Sequence, residues 1–132
     1  MLDFFDVTIV GAGPSGSTLG YYLSEKGFKV LIIEKKKLPR YKPCGGGITQ
    51  RASNLLPFDF DDVVEDYSLT AKILFNNIEV LSKDFDSPIV SMVMRDKFDY
   101  FLINKAKEKG VVVKDKNKFL SIEGDPGSLT DL

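Results

Sequence analysis

The chain has 132 residues, of which 43% are hydrophobic and 28% charged, and its formal net charge is −1. This is the composition of a globular domain large enough for its own core, and the charge gives no electrostatic reason to expect nucleic acid as a partner. The single cysteine, Cys44, excludes an internal disulfide. The absence of histidine removes the commonest general base and zinc ligand, so we expect no metal site.

The sequence shows no sign of a membrane span or a secretory signal. No stretch approaches the roughly 20 apolar residues that a transmembrane helix needs. Asp3 and Asp6 lie near the start, where a signal peptide carries basic residues. We therefore expect a cytoplasmic location.

The first elements in chain order form a strand, a glycine turn and a helix. Leu2 to Val10 predicts a buried strand, and residues 11–16 read Gly-Ala-Gly-Pro-Ser-Gly. A helix is predicted from this turn to Gly27, with Leu19, Tyr22 and Leu23 at helical spacing. Residues 28–33 then predict a second buried strand, which ends at Glu34.

In this context the glycines form a fingerprint for the ADP part of a dinucleotide. Gly11 allows a tight turn, Gly13 lets a pyrophosphate approach the backbone, and Gly16 lets the helix pack closely on the strand. The N–H groups at the helix start would hold the phosphates. Glu34, 18 residues after Gly16, would bind ribose hydroxyls and repel the 2′-phosphate of NADP. The alternatives are a βαβ unit with a glycine turn and no ligand, and an exposed structural role for Glu34.

The middle of the chain predicts a loop, a short helix and an antiparallel insertion. Residues 35–47 contain two prolines and three consecutive glycines, which indicates a loop. Residues 48–56 predict a short helix, and the acidic stretch 59–66 a solvated connection. Asn76 and Asn77, between two alternating runs, predict a hairpin within an inserted β segment at about residues 67–94.

The last third predicts a second helix followed by strands. Arg95 to Lys109 forms the helix, with Gly110 at its end. Residues 111–113 predict a strand of the parallel sheet, residues 118–123 one more strand, and residues 124–128 a turn. The fold class is therefore α/β: a Rossmann-like FAD/NAD(P)-binding βαβ unit with an inserted antiparallel hairpin.

Two segments resemble the geranylgeranyl reductase family of flavoproteins. Residues 39–47, Pro-Arg-Tyr-Lys-Pro-Cys-Gly-Gly-Gly, are similar to its selective Cys-Gly-Gly loop, and residues 95–102 to its R-x-x-F-D-x-x-L segment. The archaeal branch, which includes digeranylgeranylglycerophospholipid reductases, is most similar. The resemblance runs from about residue 6 to residue 123. It implies FAD as the cofactor and the reduction of double bonds in isoprenoid chains, with hydride from the flavin and a proton from an acid.

The resemblance also assigns positions. Cofactor contacts fall on Gly11, Gly13, Gly16, Glu34, Cys44, Gly45, Gly47, Arg95 and Phe119. Cys44 is the candidate catalytic residue at the flavin and substrate mouth, Arg95 would reach the ribityl or phosphate region, and Phe119 would lie on a strand whose backbone meets the adenine. As alternatives, Cys44 is a small packed residue and Arg95 a surface arginine at a helix start.

Family members carry a later Gly-Asp segment that contacts the flavin, and a separate antiparallel substrate domain. We expect residues 1–132 to be the N-terminal part of such an enzyme, incomplete relative to the family and inactive alone. A partner chain could supply the missing half, and peripheral contact with a membrane is compatible with an isoprenoid lipid substrate. The rival hypotheses are a fragment of a flavoprotein monooxygenase or halogenase, and a non-catalytic dinucleotide-binding module.

Overall fold

The computed structural model describes residues 4–123. Eight strands, three α-helices and one 3-10 turn follow in the order β1 (Val7–Val10), α1 (Pro14–Glu25), β2 (Val30–Ile33), β3 (Gly47–Thr49), α2 (Gln50–Ser53), the 3-10 turn (Asp61–Val63), β4 (Val64–Ser68), β5 (Thr70–Phe75), β6 (Ile78–Asp84), β7 (Val90–Val93), α3 (Arg95–Glu108) and β8 (Val112–Lys114).

A three-stranded parallel sheet forms the centre of the α/β unit. Its order is β1-β2-β8, with Val10 opposite Ile33 and Ile33 opposite Lys114 at the carboxyl ends. The two long helices, α1 and α3, pack with the strands around one core. Its buried residues are Ile9, Ala12, Tyr21, Val30, Ile32, Ile103, Ala106 and Val111. The predicted Rossmann-like βαβ unit is thereby confirmed.

Helix α1 buries two small residues and one aromatic side chain. Ser17, Gly20 and Tyr21 are its buried positions, whereas Leu19 and Tyr22 are 50% and 37% exposed. A Cβ at position 20 would lie 2.9 Å from Cδ1 of Ile32. The helix therefore approaches β2 closely because position 20 is a glycine, and the apolar spacing that we identified lies partly on its outer face.

The predicted hairpin is β5 and β6. Asn76 and Asn77 both have positive φ, 49° and 62°, which is the left-handed conformation that a tight hairpin turn requires. The hairpin is flanked in sequence by β4 and β7. In a second sheet, of order β3-β7-β4, β7 pairs with an antiparallel strand on each side.

The segment before the hairpin differs from its prediction. The helix expected over residues 48–56 is only the single turn Gln50–Ser53, and Gly47–Thr49 form a strand paired with β7. The acidic side chains of residues 59–66 are exposed, as predicted, although the backbone of Val64–Ser68 is also a strand on β7. Both differences arise because β7 pairs along both of its edges, and these two segments supply its neighbours.

Helix α3 agrees with its prediction. It begins at Arg95 and ends at Glu108, and Gly110 follows with φ +95°. Phe98 and Leu102 of this helix pack with Phe60 and Val93 in a second buried cluster. None of the helices within residues 4–123 is both long and apolar enough to cross a bilayer.

The prediction of a strand at residues 118–123 is wrong. These residues form no strand, and Phe119, Leu120 and Ile122 are 41%, 81% and 80% exposed. A strand needs a neighbour for its backbone and a buried face for its alternate side chains, and within residues 4–123 this segment has neither. The turn predicted at residues 124–128 lies outside the described residues.

Candidate functional site

The glycine turn between β1 and α1 has the conformation that its sequence predicts. Gly11 has φ +106°, which a residue with a side chain adopts only with strain. A Cβ at Gly16 would lie 2.1 Å from the carbonyl oxygen of Gly11, so this position accepts no side chain. A Cβ at Gly13 would meet only Nη2 of Arg40, at 3.6 Å, an ordinary contact. Backbone conformation therefore explains Gly11 and packing explains Gly16, while the backbone at Gly13 is open to a ligand.

The start of helix α1 has the character of an anion site. Gly13 is the N-cap, Pro14 opens the helix, and no side chain caps its first turn. The first turn also contains no acidic residue. Its N–H groups lack intrahelical partners, and the positive end of the helix dipole lies here. A pyrophosphate beside Gly13 would accept hydrogen bonds from these N–H groups, and the helix dipole would stabilise its negative charge.

Glu34 lies at the end of β2 and is 5% exposed. Its Oε2 accepts the N–H of Ala12 at 3.1 Å, its Oε1 accepts the N–H of Lys36 at 3.0 Å, and Nε of Arg40 lies 3.3 Å from Oε2. Burial raises the pKa of Glu34, but these hydrogen bonds outweigh it and hold the pKa below its ordinary value. The carboxylate is thus ionised and ties the glycine turn to β2, so Glu34 has a structural role as a buried residue and not as an exposed one.

A cleft of about 290 Å³ opens at the carboxyl edge of the parallel sheet. It is lined by Val10, Gly11, Ile33, Glu34, Lys35, Asn117, Lys118 and Phe119. Three predicted cofactor contacts, Gly11, Glu34 and Phe119, therefore meet here although they are far apart in sequence. Phe119 reaches the cleft from the irregular segment after β8 rather than from a strand.

A buried ion network lies behind the glycine turn, and its centre is Asp99, which is 1% exposed. Arg95 binds it with two hydrogen bonds, from Nε to Oδ1 at 2.7 Å and from Nη2 to Oδ2 at 3.0 Å. Nη1 of Arg40 donates to Oδ2 at 3.0 Å. Since Arg40 also contacts Glu34, a continuous chain of charges joins Glu34 to Arg95.

Sequence reasoning missed both Arg40 and Asp99. A signal existed for Asp99, because it follows Arg95 by four residues and so shares a helix face with it. It also lies in the buried stripe between Phe98 and Leu102. No local signal distinguished Arg40, whose two carboxylate partners come from β2 and α3.

The loop of Cys44 meets the same network from its other side. The thiol of Cys44 is exposed, and its Sγ accepts the N–H of Gly46 at 3.5 Å. Two contacts lower the pKa of Cys44 below its ordinary value. The hydrogen bond from Gly46 has the larger effect, and the nearby guanidinium of Arg95 has the smaller one. The pKa of Arg95 is raised chiefly by Asp99. Cys44 and Arg95 are therefore neighbours, as one site would require.

The structure singles out Gly46 where the sequence singled out Gly45 and Gly47. Gly46 has φ +75°, and a Cβ on it would lie 2.0 Å from the carbonyl oxygen of Val93. Its own carbonyl accepts the N–H of Val93 at 2.9 Å. Gly45 is exposed with open space around it, and Gly47 begins β3. Contact with Val93 thus fixes the loop that carries Cys44.

Comparison with known proteins identifies this arrangement. The family described as FAD binding domain matches residues 5–130. The chain belongs to this FAD-binding domain family. FAD is therefore the cofactor of its family, as the sequence predicted, and the open backbone at Gly13 with the uncapped helix start fits the diphosphate of that cofactor.

Relatives within the family agree with the resemblance found in the sequence. Geranylgeranyl diphosphate reductase of Rhodobacter capsulatus is 35% identical over 128 residues, which are 93% of this chain and 30% of that protein. The crystal structure of a geranylgeranyl bacteriochlorophyll reductase-like protein from Thermoplasma acidophilum has a TM-score of 0.80 at 26% identity, over 92% of this chain and 32% of that one.

One relative comes from the rival class. A 1H-pyrrole-2-carbonyl-[peptidyl-carrier protein] brominase of Pseudoalteromonas luteoviolacea is 36% identical over 112 residues, which are 81% of this chain and 27% of that protein. The chain spans about a third of the length of the relatives that it matches. The similarity thus covers the FAD-binding part that the two classes share.

Proposed function

We propose that this chain binds the ADP half of FAD and forms part of an oxidoreductase that saturates double bonds in the geranylgeranyl chains of isoprenoid lipids. The observation that carries the proposal is the meeting of Gly11, Glu34 and Phe119 in one cleft beside an uncapped helix start. The reductase class is supported by the similarity to the geranylgeranyl reductases and by the position of Cys44 beside Arg95.

Each part of the cofactor would have its own contacts. The backbone at Gly13 and the first turn of α1 would hold the pyrophosphate, with Gly11 and Gly16 shaping the turn. Glu34 would accept a ribose hydroxyl through the lone pair of Oε1 that Lys36 leaves free, since Oε2 already contacts Ala12 and Arg40. Backbone near Phe119 would meet the adenine.

The flavin end would lie toward the Cys44 loop. Arg95, held in place by Asp99, would contact the ribityl or phosphate region, and the exposed backbone of Gly45 and Gly47 would run along the ring. FAD, once reduced, supplies the hydride for the lipid double bond. The thiol of Cys44 would stand at the substrate side of that ring. The N–H of Gly46 and the guanidinium of Arg95 lower the pKa of this thiol below its ordinary value.

The whole reaction needs more than these residues. A clamp for the ring and a cover for a long apolar chain would come from further residues or from a partner chain, because a cofactor held at one end is not oriented for reaction. A cytoplasmic enzyme in peripheral contact with the membrane would reach its lipid substrate.

Replacing Glu34 with alanine should weaken binding of ADP and of FAD by about 1–3 kcal/mol, the cost of leaving buried ribose hydroxyls unpaired. Titration calorimetry of both ligands measures this directly. Glu79→Ala is the matched control, because Glu79 is an exposed hairpin residue that forms an ion pair with Lys72. Equal affinities in the Glu34 variant and the parent would contradict the assignment of the ribose site.

Alkylation of Cys44 by iodoacetamide should reach half its maximal rate at a lower pH in the folded chain than in the chain unfolded by urea. Only the thiolate reacts, and the Gly46 N–H and Arg95 stabilise the thiolate in the fold, so the folded curve shifts toward acid. Since Cys44 is the single cysteine, the rate reports one site. Superimposable curves would mean that the loop does not hold the thiol as described.

The brominase relative supports a second candidate, a flavin-dependent halogenase or monooxygenase. Assays of the completed enzyme would distinguish the two classes. A reductase oxidises its reduced flavin when the lipid alkene is added, whereas a halogenase or monooxygenase needs oxygen. A chain that binds adenine nucleotides as tightly as FAD and supports neither reaction would be a dinucleotide-binding module.

A further inference from the structure

One end of the parallel sheet carries a strongly basic surface. Residues 34–42 follow β2, and residues 114–118 include the end of β8. Together they hold eight of the chain's 18 basic residues and two of its 19 acidic residues. The basic surface is defined here as the seven exposed lysines Lys35, Lys36, Lys37, Lys42, Lys114, Lys116 and Lys118.

The two segments lie side by side, so these lysines form one patch. The N–H of Lys116 donates to the carbonyl of Lys36 at 3.4 Å, and the N–H of Asn117 donates to the carbonyl of Glu34 at 2.9 Å. The N–H of Leu38 donates to Oδ2 of Asp115 at 2.8 Å. The positive charges are thus concentrated by the fold and not only by the sequence.

The basic surface has no counter-charge of its own. Glu34 is buried against Arg40, and Asp115 is half-buried with a carboxylate oxygen on the N–H of Leu38. None of the seven lysines forms an ion pair with a carboxylate of residues 4–123. Clustered charges of one sign attract a polyanion and repel one another until it binds.

Exposed apolar side chains border the basic surface. Tyr41 is 71% exposed, Phe119 41%, Leu120 81% and Ile122 80%. A bilayer with anionic lipids offers a partner to both kinds of side chain, because phosphate headgroups pair with lysine while the acyl boundary takes aromatic and aliphatic groups. A soluble polyanion would satisfy the lysines alone.

We infer that this basic surface docks the protein on anionic phospholipid headgroups, with Leu120 and Ile122 at the bilayer interface. The inference rests on the proposed function in one respect, that an isoprenoid lipid substrate resides in a bilayer. It names the face of the molecule that meets that bilayer, the carboxyl edge of the parallel sheet.

Co-sedimentation with vesicles tests this without flavin, reductant or isoprenoid substrate. The chain should bind vesicles that contain phosphatidylglycerol, should release them as salt is raised, and should bind pure phosphatidylcholine vesicles weakly. The double substitution Lys36→Glu and Lys116→Glu should lower the partition coefficient by about 30-fold or more, at about 1 kcal/mol per basic residue. Both positions lie outside the cleft that contains Glu34 and Phe119.

The matched control is Lys26→Glu with Lys29→Glu, two exposed lysines at the opposite edge of the sheet, which change the net charge equally. An equal loss of binding in the two doubles, or equal binding to neutral and anionic vesicles, would overturn the inference. Capture by polyglutamate without capture by anionic vesicles would also overturn it, in favour of an acidic protein. Lys36→Gln with Lys116→Gln repeats the test with a milder change. Failure here leaves the FAD proposal intact, since no flavin is present.

Discussion

Asp99→Asn should destabilise the folded chain by about 3–5 kcal/mol, the cost of leaving buried charges without their partner. Asp99 is almost fully buried and accepts three hydrogen bonds, two from Arg95 and one from Arg40. Asparagine keeps the shape of the side chain but removes its negative charge. Its NH2 group is a donor and would face the guanidinium N–H groups of the two arginines, which are also donors. With an ordinary domain stability of about 5–15 kcal/mol, such a loss is a large part of the total.

Urea unfolding of the parent and the variant measures this loss. Asp62→Asn is the control, because Asp62 is exposed and forms no ion pair within residues 4–123, so its replacement should change the stability by less than about 0.5 kcal/mol. If the two variants unfold at the same urea concentration, Asp99 does not anchor the two arginines.

Gly46→Ala should destabilise the chain by about 2–5 kcal/mol. A left-handed conformation costs a residue with a side chain about 1–2 kcal/mol, and overpacking adds about 1–3 kcal/mol. Both apply here, since φ is +75° and the new methyl group would lie 2.0 Å from the carbonyl oxygen of Val93. Backbone cannot yield as a flexible side chain does, so the loop has to leave β7 and carry Cys44 with it.

The neighbouring Gly45→Ala is a matched control one residue away. Gly45 has open space around it and no positive φ, so its replacement should leave the stability within about 0.5 kcal/mol of the parent. Urea unfolding compares the two, and the alkylation curve of Cys44 should move toward the unfolded curve in the Gly46 variant alone. Equal stability of the two variants would show that the contact with Val93 does not hold the loop.

Short-range sequence patterns were enough to predict a local structure where all the residues that cause it lie in one segment. The turn from Gly11 to Gly16 needs left-handed backbone at Gly11 and close contact between the backbone of Gly16 and the carbonyl oxygen of Gly11. Both requirements lie within six residues. The hairpin at Asn76 and Asn77 likewise depends on the positive φ that asparagine tolerates. The family and its cofactor followed from such patterns, because a glycine fingerprint and a Cys-Gly-Gly loop are local features.

The buried network was decided by tertiary structure. Arg40 and Asp99 are 59 residues apart, and no periodicity in either segment indicates that the two side chains meet. Glu34 illustrates the same limit, since its spacing predicted a ribose ligand while its bonds to Ala12 and Arg40 depend on how the glycine turn and the following loop lie against β2.

Backbone pairing between distant segments was decided in the same way. Gly46 is restricted by Val93, and residues 47–49 become a strand because they pair with one edge of β7. Residues 118–123 contain the apolar residues of a predicted strand but have no neighbour among the described residues to pair with. A sequence determines which segments prefer to be strands, glycine turns or helices. Which preference is realised depends on whether another segment supplies the hydrogen bonds and the buried surface that the preference requires.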